Sequence, residues 1–276
     1  MGIAAILAQC FGEHIVGLEV HYTMAGRPQY LLYTGVLLGI RDCHFWLTAG
    51  HVVDELMKLQ ESPAVENVRP GLVDGYDHAH AATIPVSLRD LHLLKPTAAV
   101  DFGFAFLREG YVAPLLANPG MRPVTPLIWR GHESSSPEGY YLVGFPNERT
   151  SLVEVSRTST RMECRGRTQL VCLPLERVVP QGNEEPRGFW SHPGGFYGRL
   201  LHRTDSSGEP LSSIEGMSGG PILSIERTLQ GQLKYRLFGI QATWLPRSGV
   251  LRGEPVSTIA ALLEAIFSQH GLGGAT

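Results

Sequence analysis

The sequence predicts an all-β protein of two six-stranded barrels closed by one C-terminal helix, and three observations predict it. Short runs rich in β-branched and aromatic residues recur along the chain. The 32 glycines and 19 prolines are spread between those runs rather than clustered. The runs fall into two blocks, and only the last segment carries apolar residues at helical spacing.

In the first block HIVGLEVHYT (14–23) and YLLYTGVLLGI (30–40) flank a turn, MAGRPQ, and FWLTA (45–49) follows a second turn, RDCH. Residues 51–60 read as one or two helical turns, and a polar stretch with His and Pro continues to about residue 85. PVSLRDLHLL and VDFGFAFL then resume the strand pattern. Residues 113–139, rich in Pro and Ser and poor in periodicity, are the best candidate for a link between two sub-domains. The second block holds YYLVGF (140–145), SLVEVSRTST (151–160), TQLVCLPL (168–175), PILSIE (221–226) and YRLFGIQATW (235–244). Residues 180–216 read as long surface loops. STIAALLEAIF (257–267) combines a Ser cap with an apolar stripe and predicts the closing helix. The expected division is an N-terminal barrel over 1–118, a linker over 119–139, a C-terminal barrel over 140–256, and a helix and tail over 257–276.

The composition fits such a body. With 276 residues and 43% hydrophobic side chains, the chain buries a core without needing disulfides or a metal. A formal charge of -3 leaves no basic footprint, so nucleic acid is not an expected partner. No apolar run reaches the roughly 18 to 20 residues that span a bilayer, so no membrane association is expected. No basic residue precedes Arg27, which argues against a secretory signal, and Ile6 breaks the myristoylation pattern after Gly2. Cys10, Cys43, Cys164 and Cys172 are sparse and irregular, which reads as reduced thiols in a cytoplasmic protein. Cys164 and Cys172 are candidates for facing positions on a hairpin, a pairing that sequence does not fix.

The strongest chemical signal is GMSGGP (216–221). A serine in a tight glycine turn exposes its hydroxyl, and the N–H groups of Gly216 and Ser218 can converge on an oxyanion, each such donor being worth about 2.7–4 kcal/mol. The bland alternative is an inert serine in a glycine-rich turn. The same residues match the G-x-S-x-G elbow of α/β-hydrolases, but Pro221 and a strand-like run follow, and no Asp occurs after Ser218. A nucleophilic serine needs a base and an orienting carboxylate. LTAGHVV places His51 where a strand ends and a helical turn begins, and imidazole suits general-base work near neutral pH. Asp101 opens the apolar run DFGFAFL, where a carboxylate needs a donor partner, and an imidazole N–H is one. Asp90 is the reserve, with Asp77 behind it.

Together, LTAGH, DFGF and GMSGGP resemble the histidine, aspartate and serine motifs of the trypsin-like, chymotrypsin-fold serine peptidases, in that family's order and at spacings of 50 and 117 residues. YTGVLL, YLVGFP and LFGIQA resemble further strands of the same family, over residues 14–267. The resemblance implies a chymotrypsin-like fold and a serine endopeptidase acting on protein or peptide substrates. His51, Asp101 and Ser218 would be its triad, the N–H groups of Gly216 and Ser218 its oxyanion hole, and it would take no cofactor. Val52 stands where digestive members bridge a cysteine, and Met217 where they carry the Asp that pairs with a freed N-terminus. The chain therefore resembles the intracellular and bacterial branch, without activation by N-terminal trimming. The implied pocket floor is Ser212, with Glu215 near the mouth and Gly239, Gln241, Ala242 and Thr243 along the substrate strand. An uncharged Ser212 suggests small or medium uncharged residues before the cut.

Other signals are weaker. His78, His80 and His92 lie in a loop-like segment without spaced cysteines, so solvated histidines account for them better than a metal site. Asp74 and Asp77 lack the dense oxygen ligands calcium needs. Trp46, Trp129, Trp190 and Trp244 read as packing. A rival of a different class is a chymotrypsin-fold binding module, latent or gated by a regulatory protein partner through the 180–216 region. A third reading is an esterase with a closed pocket.

Overall fold

The computed structural model describes residues 3–76, 83–96, 100–129, 137–157, 162–179, 195–202, 204, 208–228 and 230–269. Helix α1 (Ile3–Gly12) leads into β1 (Ile15–Met24), β2 (Arg27–Ile40) and β3 (Cys43–Thr48). Helix α2 (Gly50–Glu61), β4 (Val65–Asp74), β5 (Ile84–Pro85), β6 (His92–Leu94) and β7 (Gly103–Leu107) complete the N-terminal unit. These strands form one curled antiparallel sheet of order β5-β4-β1-β2-β3-β7-β6. Helices α3 (Glu109–Ala117) and α4 (Pro126–Trp129) cross to the C-terminal unit. There β8 (Gly139–Gly144), β9 (Ser151–Arg157), β10 (Met162–Arg167) and β11 (Val171–Arg177) are followed by β12 (Phe196–Leu200), β13 (Pro221–Arg227), β14 (Leu233–Leu245) and β15 (Val250–Pro255). Six of them close a barrel of order β11-β12-β15-β14-β13-β8, β9 and β10 form a separate hairpin, and α5 (Val256–Gln269) ends the described chain. This is the two-barrel, chymotrypsin-like architecture that the sequence predicts. The N-terminal unit departs in detail, being a half-closed sheet of seven strands rather than a six-stranded ring.

The period of two in β2 and β3 explains how the units meet. Tyr33, Leu37, Trp46 and Ala49 point into the N-terminal sheet, where Leu18, Leu72 and Leu56 of α2 fill the curl. Leu32, Val36, Leu38, Phe45 and Leu47 point the other way, into a second core shared with Phe145, Leu223 and Ile240 of the barrel and Ile259, Leu263 and Phe267 of α5. Each fully buried side chain of this size contributes roughly 1.5–3 kcal/mol of transfer free energy. Trp46 also donates its indole N–H to the Val16 carbonyl at 2.9 Å. A methyl group at Gly35 would stand 2.1 Å from that nitrogen, so only glycine fits beneath the ring.

Several elements are not predicted by the sequence. Helix α1, IAAILAQCFG, is apolar along most of its length, so no polar face marks a helical period. Its Leu7, Ala8 and Phe11 join the core between the units, with Phe11 edge-on to Tyr235. Strand β4 reads as a polar stretch because of its charges and Pro70, yet it pairs with β1 from Val16↔Asp74 to Met24↔Val65. Part of the segment read as a linker packs on the N-terminal sheet. Val124 exchanges backbone hydrogen bonds with Leu37 and Gly39, and α4 follows at Pro126–Trp129, while residues 130–136 lie outside the described residues. Strand β12 falls inside the region read as loops, of which residues 180–194 lie outside the described residues.

Cys172 lies on β11 opposite Val143 and is a free thiol. Cys164 faces Val155 across the β9–β10 hairpin, so the two cysteines are not on facing strands. No helix among the described residues is long and apolar enough to cross a membrane.

Candidate active site

Helix α2 begins where β3 ends, and its cap residue Ala49 has no side chain to offer the free N–H groups of the first turn. Asp101, far along the chain, fills that role. One carboxylate oxygen accepts the backbone N–H of His51 at 2.9 Å. The same carboxylate lies 3.1 Å and 3.3 Å from His51 Nδ1. An ionised carboxylate only accepts, so Nδ1 carries the proton and donates, leaving Nε2 with a lone pair. Gly50 makes the approach possible, since a methyl group there would sit 3.0 Å from Asp101 Oδ1. The imidazole side chain is 47% exposed and the carboxylate 20% exposed, so the pair stands at a surface with its acid end sunk. Burial alone would raise the Asp101 carboxyl, but the hydrogen bonds and charge of His51, with Arg252 nearby, outweigh it and hold the group below its ordinary value.

A further anchor reaches Asp101 from the barrel. Its backbone N–H donates to Glu254 Oε1 at 3.1 Å, and Arg252 lies 3.7 Å from the same oxygen. Glu254 is completely buried.

The Ser218 turn is folded by its own backbone. Met217 N–H donates to Ile214 O at 3.0 Å and Gly220 N–H to Met217 O at 2.8 Å. Gly219 N–H donates to Gln241 O and Gln241 N–H to Gly220 O, both at 2.8 Å, which welds the turn to β14. Gly216 and Gly219 sit at φ +92° and +86°, backbone that glycine adopts without a steric cost. Gly219 also docks the turn on the N-terminal sheet: a methyl group there would meet Thr48 Oγ1 at 2.1 Å and Ala49 N at 2.8 Å. Ser218, half-buried, thus lies next to the residue that docks on the end of β3, where the helix carrying His51 begins. Its hydroxyl and N–H form no hydrogen bond with another described residue.

The carbonyls on both sides of the Gly216 N–H are pinned. Asn147 N–H donates to Glu215 O at 2.7 Å, and the Thr34 hydroxyl donates to Gly216 O at 2.9 Å. Because a trans peptide sets N–H opposite to C=O, the first bond turns the Gly216 N–H away from the 145–150 segment. Among the described residues that N–H has no acceptor.

The other residues singled out in the sequence are spread around this turn. Ser212 is exposed, and its N–H donates to both Glu148 oxygens at 2.9 Å and 3.1 Å, with its hydroxyl bonded to the same carboxylate. Glu215 is exposed, and Ser213 Oγ accepts its N–H at 3.1 Å. Gly239 is inside the barrel wall, paired with Ile222 on one side and Pro255 on the other. Gln241 has both backbone groups committed to the serine turn. Strand β13 follows β14 only as far as Ile240, Ala242 is bulged, and Thr243 pairs with Arg252. Asp90, the reserve aspartate, is engaged by Tyr111 and Arg108. His92 is exposed on β6, whereas Asp77, His78, His80 and Trp190 lie outside the described residues. No group of metal-ligating side chains occurs among the described residues.

Thr34, Asn147, Glu148 and Glu254 are the residues that sequence reasoning missed. For Thr34 and Glu254 there was a signal, since a hydroxyl or carboxylate within an otherwise apolar strand needs a partner when buried. Asn147 acts through its backbone, which leaves no mark in the sequence.

No protein-family profile matches the chain, and no curated protein sequence matches it. Solved structures similar to it include the active form of the Rv3671c protease from M. tuberculosis, at 14% identity and a TM-score of 0.46 over 98% of this chain and 84% of that one. Protease Anisep from Arthrobacter nicotinovorans aligns at 14% identity and a TM-score of 0.41, over 88% and 90% of the two chains. The thermostable serine protease AL20 from an extremophilic microorganism aligns at 13% identity and a TM-score of 0.43, over 89% and 92%.

Proposed function

We propose that this chain is a serine endopeptidase in which His51, Asp101 and Ser218 act as a triad. The observation that carries the reading is the double engagement of Asp101: its carboxylate caps α2 at His51 N–H and bonds His51 Nδ1. That arrangement fixes both the position of the ring and the tautomer a general base needs. The docking of Gly219 against Ala49 supports it, because the two halves of the site lie on different sheets and meet there.

In this reading His51 Nε2 takes the Ser218 hydroxyl proton as Oγ attacks a peptide carbonyl. The imidazolium then passes that proton to the leaving amine, and water, activated by the same ring, releases the acyl group. Asp101, held ionised, stabilises the imidazolium. The N–H groups of Gly216 and Ser218, with no competing acceptor among the described residues, bind the oxyanion. Of the predicted substrate strand, Ala242 and Thr243 lie beyond the point where β13 ends, beside the serine turn, and an extended peptide would add there as a further strand. Gly239 is too deep in the wall to take part.

The test is labelling with a fluorophosphonate probe, comparing the natural chain with Ser218→Ala and His51→Ala. Labelling of the natural chain at Ser218, absent in both variants, is the expected result. A folded natural chain that stays unlabelled would overturn the peptidase reading and favour the latent binding module. Labelling with no cleavage of any member of a peptide library would favour an esterase.

A further inference from the structure

Strand β2 sends a row of side chains toward the barrel: Leu32, Thr34, Val36 and Leu38 at every second position. The other three are apolar and join the core between the units. Thr34 is fully buried as well, and its hydroxyl lies in the joint between the N-terminal sheet, the end of β8 and the serine turn. Its hydrogen bonds are complete. Phe145 N–H donates to Thr34 Oγ1 at 3.0 Å, and Oγ1 donates to Gly216 O at 2.9 Å. An amide N–H only donates and a carbonyl only accepts, so the single hydroxyl proton has one place to go. The main chain of Thr34 is fixed in turn, because Thr48 Oγ1 donates to Thr34 O at 2.8 Å.

We propose that Thr34 is a positioning residue for the oxyanion site: its hydroxyl holds the Gly216–Met217 peptide, the link between the two donor peptides, and so fixes the Gly216 N–H and the Ser218 N–H relative to each other. This rests on the peptidase reading above and names how its site is kept ready. Gly216 has no side chain and adopts φ +92°, so little of its own prevents the peptides on either side from rotating. Two donors outside the turn do so instead: Asn147 N–H on the Glu215 carbonyl and Thr34 Oγ1 on the Gly216 carbonyl. Of the two, only the Thr34 bond comes from a side chain, and it crosses from one unit to the other. Loss of it leaves the part-buried Gly216 carbonyl without this donor, which favours rotation of the Gly216–Met217 peptide and displacement of the N–H donors on either side of it.

Thr34→Val removes the hydroxyl at nearly constant shape, and Thr34→Ser restores it. The expected result is a fall of about 10²-fold in the maximal rate of fluorophosphonate labelling for Thr34→Val, the size of effect seen when one oxyanion donor is lost. The half-saturating probe concentration should change far less, because probe binding before reaction does not use that donor. Thr34→Ser should label within a few-fold of the natural chain. Purely structural damage would lower the labelled fraction rather than this rate, and serine would not rescue it selectively. Equal rates for folded Thr34→Val and the natural chain would overturn the proposal while leaving the peptidase reading intact, as would a Thr34→Ser chain as slow as Thr34→Val. No labelling of the natural chain at Ser218 would overturn both. Should Thr34→Val fail to fold, NMR of the natural chain decides: a slowly exchanging Thr34 hydroxyl proton with a cross-peak to Phe145 N–H supports the proposal, and its absence overturns it.

Discussion

Asp101 and Glu254 belong to different units, and the backbone N–H of the first donates to a carboxylate oxygen of the second at 3.1 Å. Asp101 lies just before β7 of the N-terminal sheet, and Glu254 lies on β15 of the barrel. The acid that orients His51 is therefore anchored by the opposite unit. Glu254 is wholly buried, and the Arg252 guanidinium 3.7 Å away supplies the countercharge that a buried carboxylate needs.

Glu254→Ala should consequently be among the more damaging single changes in the chain. It takes the Glu254 carboxylate away from the Arg252 guanidinium and removes the acceptor of the Asp101 N–H. Removing one member of a buried ion pair costs about 3–5 kcal/mol. Glu254→Gln, which keeps an acceptor for Asp101 N–H, should cost less. Urea unfolding of the two variants checks this, and an Ala variant as stable as the natural chain would remove Glu254 from the joint.

Gly219 and Gly26 both sit at positive φ, +86° and +72°, but only one of them is crowded. A methyl group at Gly219 would meet Thr48 Oγ1 at 2.1 Å and Thr34 O at 2.6 Å, whereas at Gly26, in the β1–β2 turn, nothing lies within 4 Å. Gly26→Ala should cost only the left-handed backbone term, about 1–2 kcal/mol. Gly219→Ala should cost about 1–3 kcal/mol more through overpacking, and it should also slow labelling of Ser218, because the turn must move off the strand end. Thermal unfolding paired with labelling separates the two glycines. Equal losses at both would mean that the serine turn is not seated against β3.

What the sequence made legible follows from how locally each feature is determined. Strands β1 to β3 could be read because their side chains alternate between two apolar environments and their turns carry Gly and Asp. Strand β4 could not, since Glu66, Arg69 and Pro70 interrupt its outer half while the apolar part of its buried half is only Leu72 and Val73. Helix α1 was hidden for the opposite reason: its exposed face carries Ile6 and Cys10 beside Gln9, too little polar contrast to set a period. Within the candidate site, His51 and Ser218 were singled out through their flanking residues, and Asp101, which the structure brings to His51, through an acid placed before an apolar run. Thr34 and Glu254 could be marked as polar groups in need of partners, but the partners Gly216 and Asp101 lie across the joint between the units, which no local pattern records. Ser212 illustrates the limit of carrying a position over by counting. The residue is there, but its N–H and hydroxyl are bound to Glu148, a partner that counting cannot supply.

His14 gives a prediction about pH. It is buried at the start of β1, with Nδ1 donating to Arg122 O at 2.7 Å and Nε2 2.7 Å from the Tyr235 hydroxyl, which also reaches Glu13. Burial lowers its pKa, and this outweighs the bond to the Arg122 carbonyl and the Glu13 charge, both of which raise it, while the Arg122 charge adds to the lowering. The unfolded chain, with an ordinary imidazole near 6.5, therefore takes up this proton before the folded one does. Stability contributed by neutral His14 is complete above about pH 6.5 and falls as pH drops below it, with a slope of at most about 1.4 kcal/mol per pH unit, until the folded-state pKa is reached. His14→Gln keeps a donor and an acceptor but cannot titrate. Its urea midpoint should fall less than that of the natural chain between pH 8 and pH 5.5. The comparison isolates His14 from the other histidines, which both proteins share. A natural chain that gained stability relative to His14→Gln on acidification would mean that the Glu13 charge prevails over burial and that the folded state takes the proton first.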